Sequence, residues 1–277
     1  MLPNLLSLAI AGIPITLAIG SLDLNRRRRL AAQYEPFAAP LSNNAVHVVL
    51  QVVDGAPFIS PDGQPAWQVK TWREGEHIHF RSFYEDGWIA CDRSVAHLVL
   101  RAEGNPENFL RVLYAWECLA RGGLLLHASG IVREGKGYVF IGHSGAGKTT
   151  IAGLSIPNVV LSDDLVIVRP AHDGAYVYGV PFAGALPEVQ RTNACAPLVG
   201  LFSLIQAPFH HVERLPLVAA AARLASCTPF VMQQAGSCAQ VMSICTNLAR
   251  VAPCYQLYFR KDNQFWEVID DLNLCNP

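Results

Sequence analysis

Charge is scarce in this chain: only 16% of its 277 residues are Asp, Glu, Lys or Arg, and the formal net charge is −1. That balance argues against general nucleic-acid binding, which needs a basic surface. Half the residues are apolar (51%), ample for a real core, so the low charge leans toward an oligomer that covers part of the surface. The eight cysteines form no C-x-x-C pair, which removes the usual zinc frameworks and leaves most of them as small buried hydrophobes. Repeats and low-complexity linkers are absent, so the chain is one large domain or two small ones.

A clean apolar run is missing as well. The first 22 residues carry no charge and Arg26-Arg27-Arg28-Arg29 follows, but Pro3, Asn4, Ser7, Gly12, Pro14, Thr16, Gly20 and Ser21 interrupt the roughly 20 apolar residues a span requires. A secretory signal would carry its positive charge ahead of the apolar run. The alternation Ile13, Ile15, Leu17, Ile19 predicts a buried strand or hairpin instead of a membrane segment. The four arginines then read as a solvated helix start.

The predicted elements shift in character along the chain. Residues 1–105 are strand-rich: Ala45–Val53, a hairpin of His77–Phe83 and Trp88–Cys91 around Glu85-Asp86-Gly87, and Ser94–Leu100. Residues 106–277 begin with a helix over 108–121, stopped by Gly122-Gly123. Strands follow at Leu124–Val132, Tyr138–Ile141, Val159–Leu161, Leu165–Arg169, Ala175–Val180, Leu198–Gln206 and Tyr255–Phe259, with a helix at Leu215–Ala225. The first region is expected to recognise a substrate chain, which a sheet edge can accept as an added strand.

What the chain does contain is Tyr138-Val-Phe-Ile-Gly142-His143-Ser144-Gly145-Ala146-Gly147-Lys148-Thr149-Thr150: an apolar strand, then G-x-x-x-x-G-K-T, then a helix start. The glycines let the backbone curl so that its N–H groups face an anion. Lys148 supplies a point charge for the outer phosphates, and the Thr149 hydroxyl is placed to hold Mg²⁺. This predicts a site for ATP or another phosphate-rich ligand, and hence the cytoplasm. Leu161-Ser-Asp163-Asp164-Leu follows about 15 residues later. Asp is common in turns, but carboxylates beside a phosphate loop suit a metal ligand and a proton acceptor. His127, inside the apolar strand Leu124–Val132, is by itself as compatible with a hydrogen-bonded core residue as with a catalyst.

Taken together, His127 in L-H-A-S-G, the loop G-H-S-G-A-G-K-T-T, L-S-D-D and Gly179-Val-Pro181-Phe182 resemble the HPr kinase/phosphorylase superfamily over about residues 106–185. Phosphoenolpyruvate carboxykinases of the ATP type resemble it more distantly. The likeness is greatest to HPr-kinase-like proteins of ribosomal-peptide clusters, including lasso-peptide precursor kinases, whose openings are also similar to Ile10-Ala-Gly-Ile-Pro-Ile15. The resemblance implies an α/β (α+β) P-loop kinase core and phosphoryl transfer from Mg²⁺·ATP to a serine of a peptide or protein. His127 would lie near the transferred group or orient an Asp. Of Asp163 and Asp164, one would be the base and the other would assist the metal, in an order left open. The Glu-Ile-Arg-Gly-Leu-Gly signature of true HPr kinases is replaced by Pro181–Arg191, which argues against HPr as the acceptor. Glu188 and Arg191 there are weaker candidates. A small-metabolite kinase, a non-catalytic ATP-dependent binding module and a carboxykinase-like lyase are the rival readings.

Overall fold

The computed structural model describes residues 4–63, 68–182, 184–187, 189–232 and 235–274. They fall into two compact units, Met1–Glu117 and Cys118–Pro277.

The first unit holds β1 (Leu5–Ile10), β2 (Ile13–Ala18), α1 (Leu24–Gln33), β3 (Val46–Val52), β4 (Lys70–Glu74), β5 (His77–Arg81), β6 (Glu85–Ala90), β7 (Val95–Leu100) and most of α2 (Glu107–Ala120). Its sheet runs β1-β2-β3-β7-β6-β5-β4. The apolar opening is a hairpin. Ala11 and Gly12 both adopt positive φ between the paired Ile10 and Ile13, the twist a two-residue hairpin turn requires. Ile13, Ile15 and Leu17 are fully buried along β2. Among the described residues no helix is long and apolar enough to cross a membrane.

Two sequence expectations are corrected in this unit. Arg26 and Arg27 are not merely solvated. Arg26 donates to the Gly104 carbonyl at 2.5 Å, and Arg27 donates to Leu22 O, to Gly20 O and to Asn4 Oδ1. They tie α1 to the neighbouring turns, while Asp23 caps its first N–H groups. Nor do Glu85-Asp86-Gly87 form the hairpin turn: they lie inside β6, and the turn is 82–84. Glu85 is buried there and accepts from Ser82 Oγ at 2.6 Å. Gly87 is needed because a Cβ would sit 2.3 Å from the His97 carbonyl oxygen. Its glycine marks close packing, not a turn.

The second unit contains β8 (Leu124–Arg133), β9 (Lys136–Ile141), α3 (Lys148–Leu154), β10 (Val159–Ser162), β11 (Leu165–Ala171), β12 (Gly174–Tyr178), β13 (Cys195–Gln206), β14 (His211–Arg214), α4 (Leu217–Ser226), α5 (Ala235–Val251), β15 (Cys254–Phe259) and α6 (Phe265–Asp270). Two long strands change partners midway. β8 pairs with β11 through Leu124–His127 and with β9 from Ala128 onward. β13 pairs with β12 near Cys195–Pro197 and with β9 and β15 beyond. The fold is therefore mixed α/β, with β9, β13 and β15 mutually parallel. Under them lies an aromatic core in which the Phe140 and Phe202 rings stack at 5.3 Å and Phe265 and Trp266 pack edge-on to Phe140.

Asp270 closes α6, with Asp271 in the turn that follows, and Asp270 takes two bonds from Arg133 at 2.7 and 3.0 Å. Cys118, Cys227, Cys245 and Cys254 are buried, as small hydrophobes should be. Cys275 and Glu188 lie outside the described residues.

Candidate functional site

Strand register brings the sequence motifs together. In the antiparallel β8–β9 pair, Ala128 faces Ile141, so His127 lies beside Gly142, where the loop begins. Leu165 faces His127 across β8–β11, and Ala128 N–H donates to Asp164 O at 3.0 Å. Asp163 and Asp164 thus arrive at the loop from the opposite side of β8. On the other flank β13 overruns β9: Ser203 pairs with Ile141, and β13 continues to Gln206, which pairs with Phe259 of β15. Gln206 and Phe259 therefore stand beside the loop, at the carboxyl ends of parallel strands where α/β folds hold ligands.

Each glycine of the loop meets a local constraint. A Cβ on Gly142 would lie 2.6 Å from the Ala146 Cβ. Gly145 and Gly147 have φ of +80 and +107, and a Cβ on Gly147 would meet the Phe259 ring at 2.5 Å. The Gly145 and Gly147 N–H groups have no acceptor among the described residues. Curled N–H groups left without partners form an anion cradle. Gln206 Nε2 holds the loop from outside by donating to Gly145 O at 2.7 Å, and Ser129 Oγ anchors the start of α3 by donating to Lys148 O at 2.8 Å. His143 is exposed and turns its Nδ1 back to Ser144 O at 2.6 Å.

Lys148 is 6% exposed, and its Nζ donates to the Gly142 and His143 carbonyls at 2.9 and 3.2 Å. Burial holds its pKa below the ordinary lysine value, against the opposing pull of Cys227 and Asp164. The Thr149 hydroxyl makes no hydrogen bond among the described residues.

The two adjacent carboxylates have different surroundings. Ser162 Oγ accepts from the N–H groups of Asp164 and Leu165, both at 3.1 Å, and so turns the chain between β10 and β11. Asp163 is 3% exposed; its Oδ2 accepts from Ala185 N–H at 3.0 Å and Leu186 N–H at 3.2 Å. Asp164 is partly open, and its Oδ1 lies 3.4 Å from His127 Nε2.

One cavity of about 310 Å³ joins these groups. His127, Ser144, Gly145, Gly147, Lys148, Thr149, Thr150, Asp163 and Asp164 all line it. So do three residues the sequence reading passed over: Ala185, Gln206 and Lys261. Gln206 closes a predicted strand, and Lys261 lies just past another; neither belongs to a motif, and only the sheet register brings them here.

A divalent cation fits the donor set. Thr149 and Asp164 offer hard oxygens, and no group of three or more His, Cys, Asp or Glu residues able to hold a metal occurs among the described residues. A cation at this cavity would depend on ligand phosphates, as Mg²⁺ characteristically does.

Residues 108–274 match the family model described as SynChlorMet cassette protein ScmC, and the chain belongs to that family. No curated protein matches it. Among solved structures, the HPr(Ser) kinase/phosphatase from Coxiella burnetii is similar to 54% of this chain and 95% of its own, at 9% identity and a TM-score of 0.31. A TM-score of 0.31 supports neither a fold nor an activity.

Proposed function

We propose that the protein is an ATP-dependent kinase that transfers a phosphoryl group to a hydroxyl, with a serine of a peptide or protein as the acceptor. One observation carries this reading: the glycine loop with its unpartnered N–H groups shares a single cavity with the His127–Asp164 pair. A binding module would need the loop but not a carboxylate–imidazole pair facing it.

In this reading Asp164 is the base and His127 orients it. Asp164 takes the proton of the acceptor hydroxyl, whose oxygen attacks the terminal phosphorus of ATP. The bond to the bridging oxygen breaks, and ADP leaves with the electron pair. Lys148 and the loop N–H groups bear the phosphate charge. The Thr149 hydroxyl and the Asp164 carboxylate would hold Mg²⁺, which would supply further neutralisation of the phosphate charge. Asp163 has a different task, holding the segment at Ala185 and Leu186 that closes one side of the cavity.

The family's description as a cassette protein directs the search for the acceptor to products encoded in the same cassette. The test is mass spectrometry of such peptides incubated with the protein, ATP and Mg²⁺. A gain of one phosphoryl group that disappears with Lys148→Ala and Asp164→Asn supports the reading. ATP binding without transfer to any hydroxyl-bearing candidate refutes it in favour of a binding module, and transfer only to small metabolites refutes the peptide acceptor.

A further inference from the structure

We infer that Lys261 is a second phosphate-binding cation and that it holds the inner, nucleoside-side phosphate, opposite the His127–Asp164 pair. The inference rests on the reading of the cavity as an ATP site.

Lys261 lines the cavity together with Lys148 and Thr149. It forms no ion pair or hydrogen bond among the described residues, whereas the residues around it are held in a tight network. Asp262 accepts from Arg260 Nε at 2.5 Å, its Oδ1 lies 2.8 Å from His210 Nε2, and it accepts from Gln264 N–H at 3.1 Å. Arg260 also donates to Gln264 Oε1 at 2.7 Å. On the other side Phe259 is fully buried, with its ring against Gly147. The backbone bearing Lys261 is therefore fixed on both sides while its ammonium is left for the cavity. A cation excluded from a surrounding network of matched charges and facing an anion cradle is placed to meet the anion.

The order of strands says which part of the anion. Across the sheet, β11 and β8 carry Asp164 and His127, β9 feeds the loop, β13 brings Gln206, and β15 leads to Lys261. Neighbouring strands are about 4.8 Å apart, so Lys261 approaches the loop from the flank remote from the base. The transferred phosphoryl group must lie at the base. The rest of the phosphate chain then runs across the loop toward β13 and β15, and the inner phosphate reaches Lys261.

The test is calorimetric titration of Mg²⁺·ATP and Mg²⁺·ADP into the wild type, Lys261→Gln and Lys261→Arg. An inner-phosphate contact predicts that Lys261→Gln weakens ATP and ADP alike, by about tenfold to a hundredfold, the range of one charge-assisted bond. Lys261→Arg should restore most of the affinity. A loss confined to ATP would place Lys261 at the outer phosphate and overturn the inference, as would an unchanged affinity for both nucleotides. Lys261 is exposed, so the variant is expected to fold, and unchanged thermal unfolding without nucleotide checks this. If the wild type binds neither nucleotide, the reading of the cavity fails first; if it binds both and Lys261→Gln binds equally well, only the inference fails.

Discussion

Replacing Asp163 by Ala separates the two adjacent carboxylates by stability alone, without any knowledge of the acceptor. In the native protein a single Asp163 oxygen accepts both the Ala185 and the Leu186 N–H groups, at 3.0 and 3.2 Å. The side chain is 3% exposed. A hydrogen bond to a charged group contributes about 1.5–3 kcal/mol, and a donor left without an acceptor costs a further desolvation penalty unless it reaches water. The segment carrying these donors is a loop, which can relax toward solvent and recover part of the loss. The expected cost of Asp163→Ala is therefore about 2–4 kcal/mol.

Asp163→Asn should be much milder. Both donors share one oxygen, and an amide still presents one. The amide nitrogen would then face Gly184, where the carboxylate packs so closely that an added Cβ would lie 1.7 Å from Oδ1. Asp164→Asn should cost clearly less than Asp163→Ala, because Asp164 is partly open to solvent and its pair with His127 is worth about 1 kcal/mol or less. Urea denaturation of the three variants at pH 7.5, read by tryptophan fluorescence, checks this order. The assignment is refuted if Asp163→Ala unfolds within 0.5 kcal/mol of wild type, or if Asp164→Asn is as destabilised as Asp163→Ala.

Other perturbations test other parts of the chain. Burial raises the Glu85 pKa from the usual 4.5 to about 7, despite the stabilising bond from Ser82. Between those values the native state keeps a proton that the unfolded chain has released, so stability falls as pH rises from 4.5 to 7 and levels off above. The full fall corresponds to about 3 kcal/mol. Glu85→Gln should flatten it, as measured by denaturant midpoints at pH 5 and 8; an unchanged slope would exclude Glu85 as its source. Gly147→Ala should abolish measurable ATP binding, because φ is +107 and the Cβ would meet Phe259 at 2.5 Å; retained affinity in the same titration would show that the loop tolerates a different path. Arg27→Ala should lower stability by about 1–2 kcal/mol, because three acceptors lose their donor, while Arg28→Ala should not. Equal melting temperatures for the two variants would refute that difference.

Most strands were legible because their periodicity is local. Ile13, Ile15 and Leu17 alternate, and they are buried as alternation requires. Helix α5 was not legible: Ala235–Val251 mixes Ser, Cys, Thr and Asn among its apolar residues, and this blurs the helical stripe. The misplaced turn at Glu85-Asp86-Gly87 has the opposite cause. Those residue types are turn formers, but tertiary contacts require a buried carboxylate and a missing Cβ at the same positions.

The site divides along the same line. The loop and the L-S-D-D turn were readable because each is a local device: glycines that free the backbone, and a Ser162 hydroxyl that accepts from two following N–H groups. Which Asp faces His127 could not be read, since the two are adjacent in sequence. It depends on the far end of the unit, where a segment beginning 22 residues later supplies the Ala185 and Leu186 N–H groups to the Asp163 carboxylate. Once Asp163 is committed to that segment, the side chain left open beside His127 is Asp164. Gln206 and Lys261 follow the same logic: their place beside the loop is set by how far β13 and β15 overrun β9, a property of register between distant strands and of no single motif.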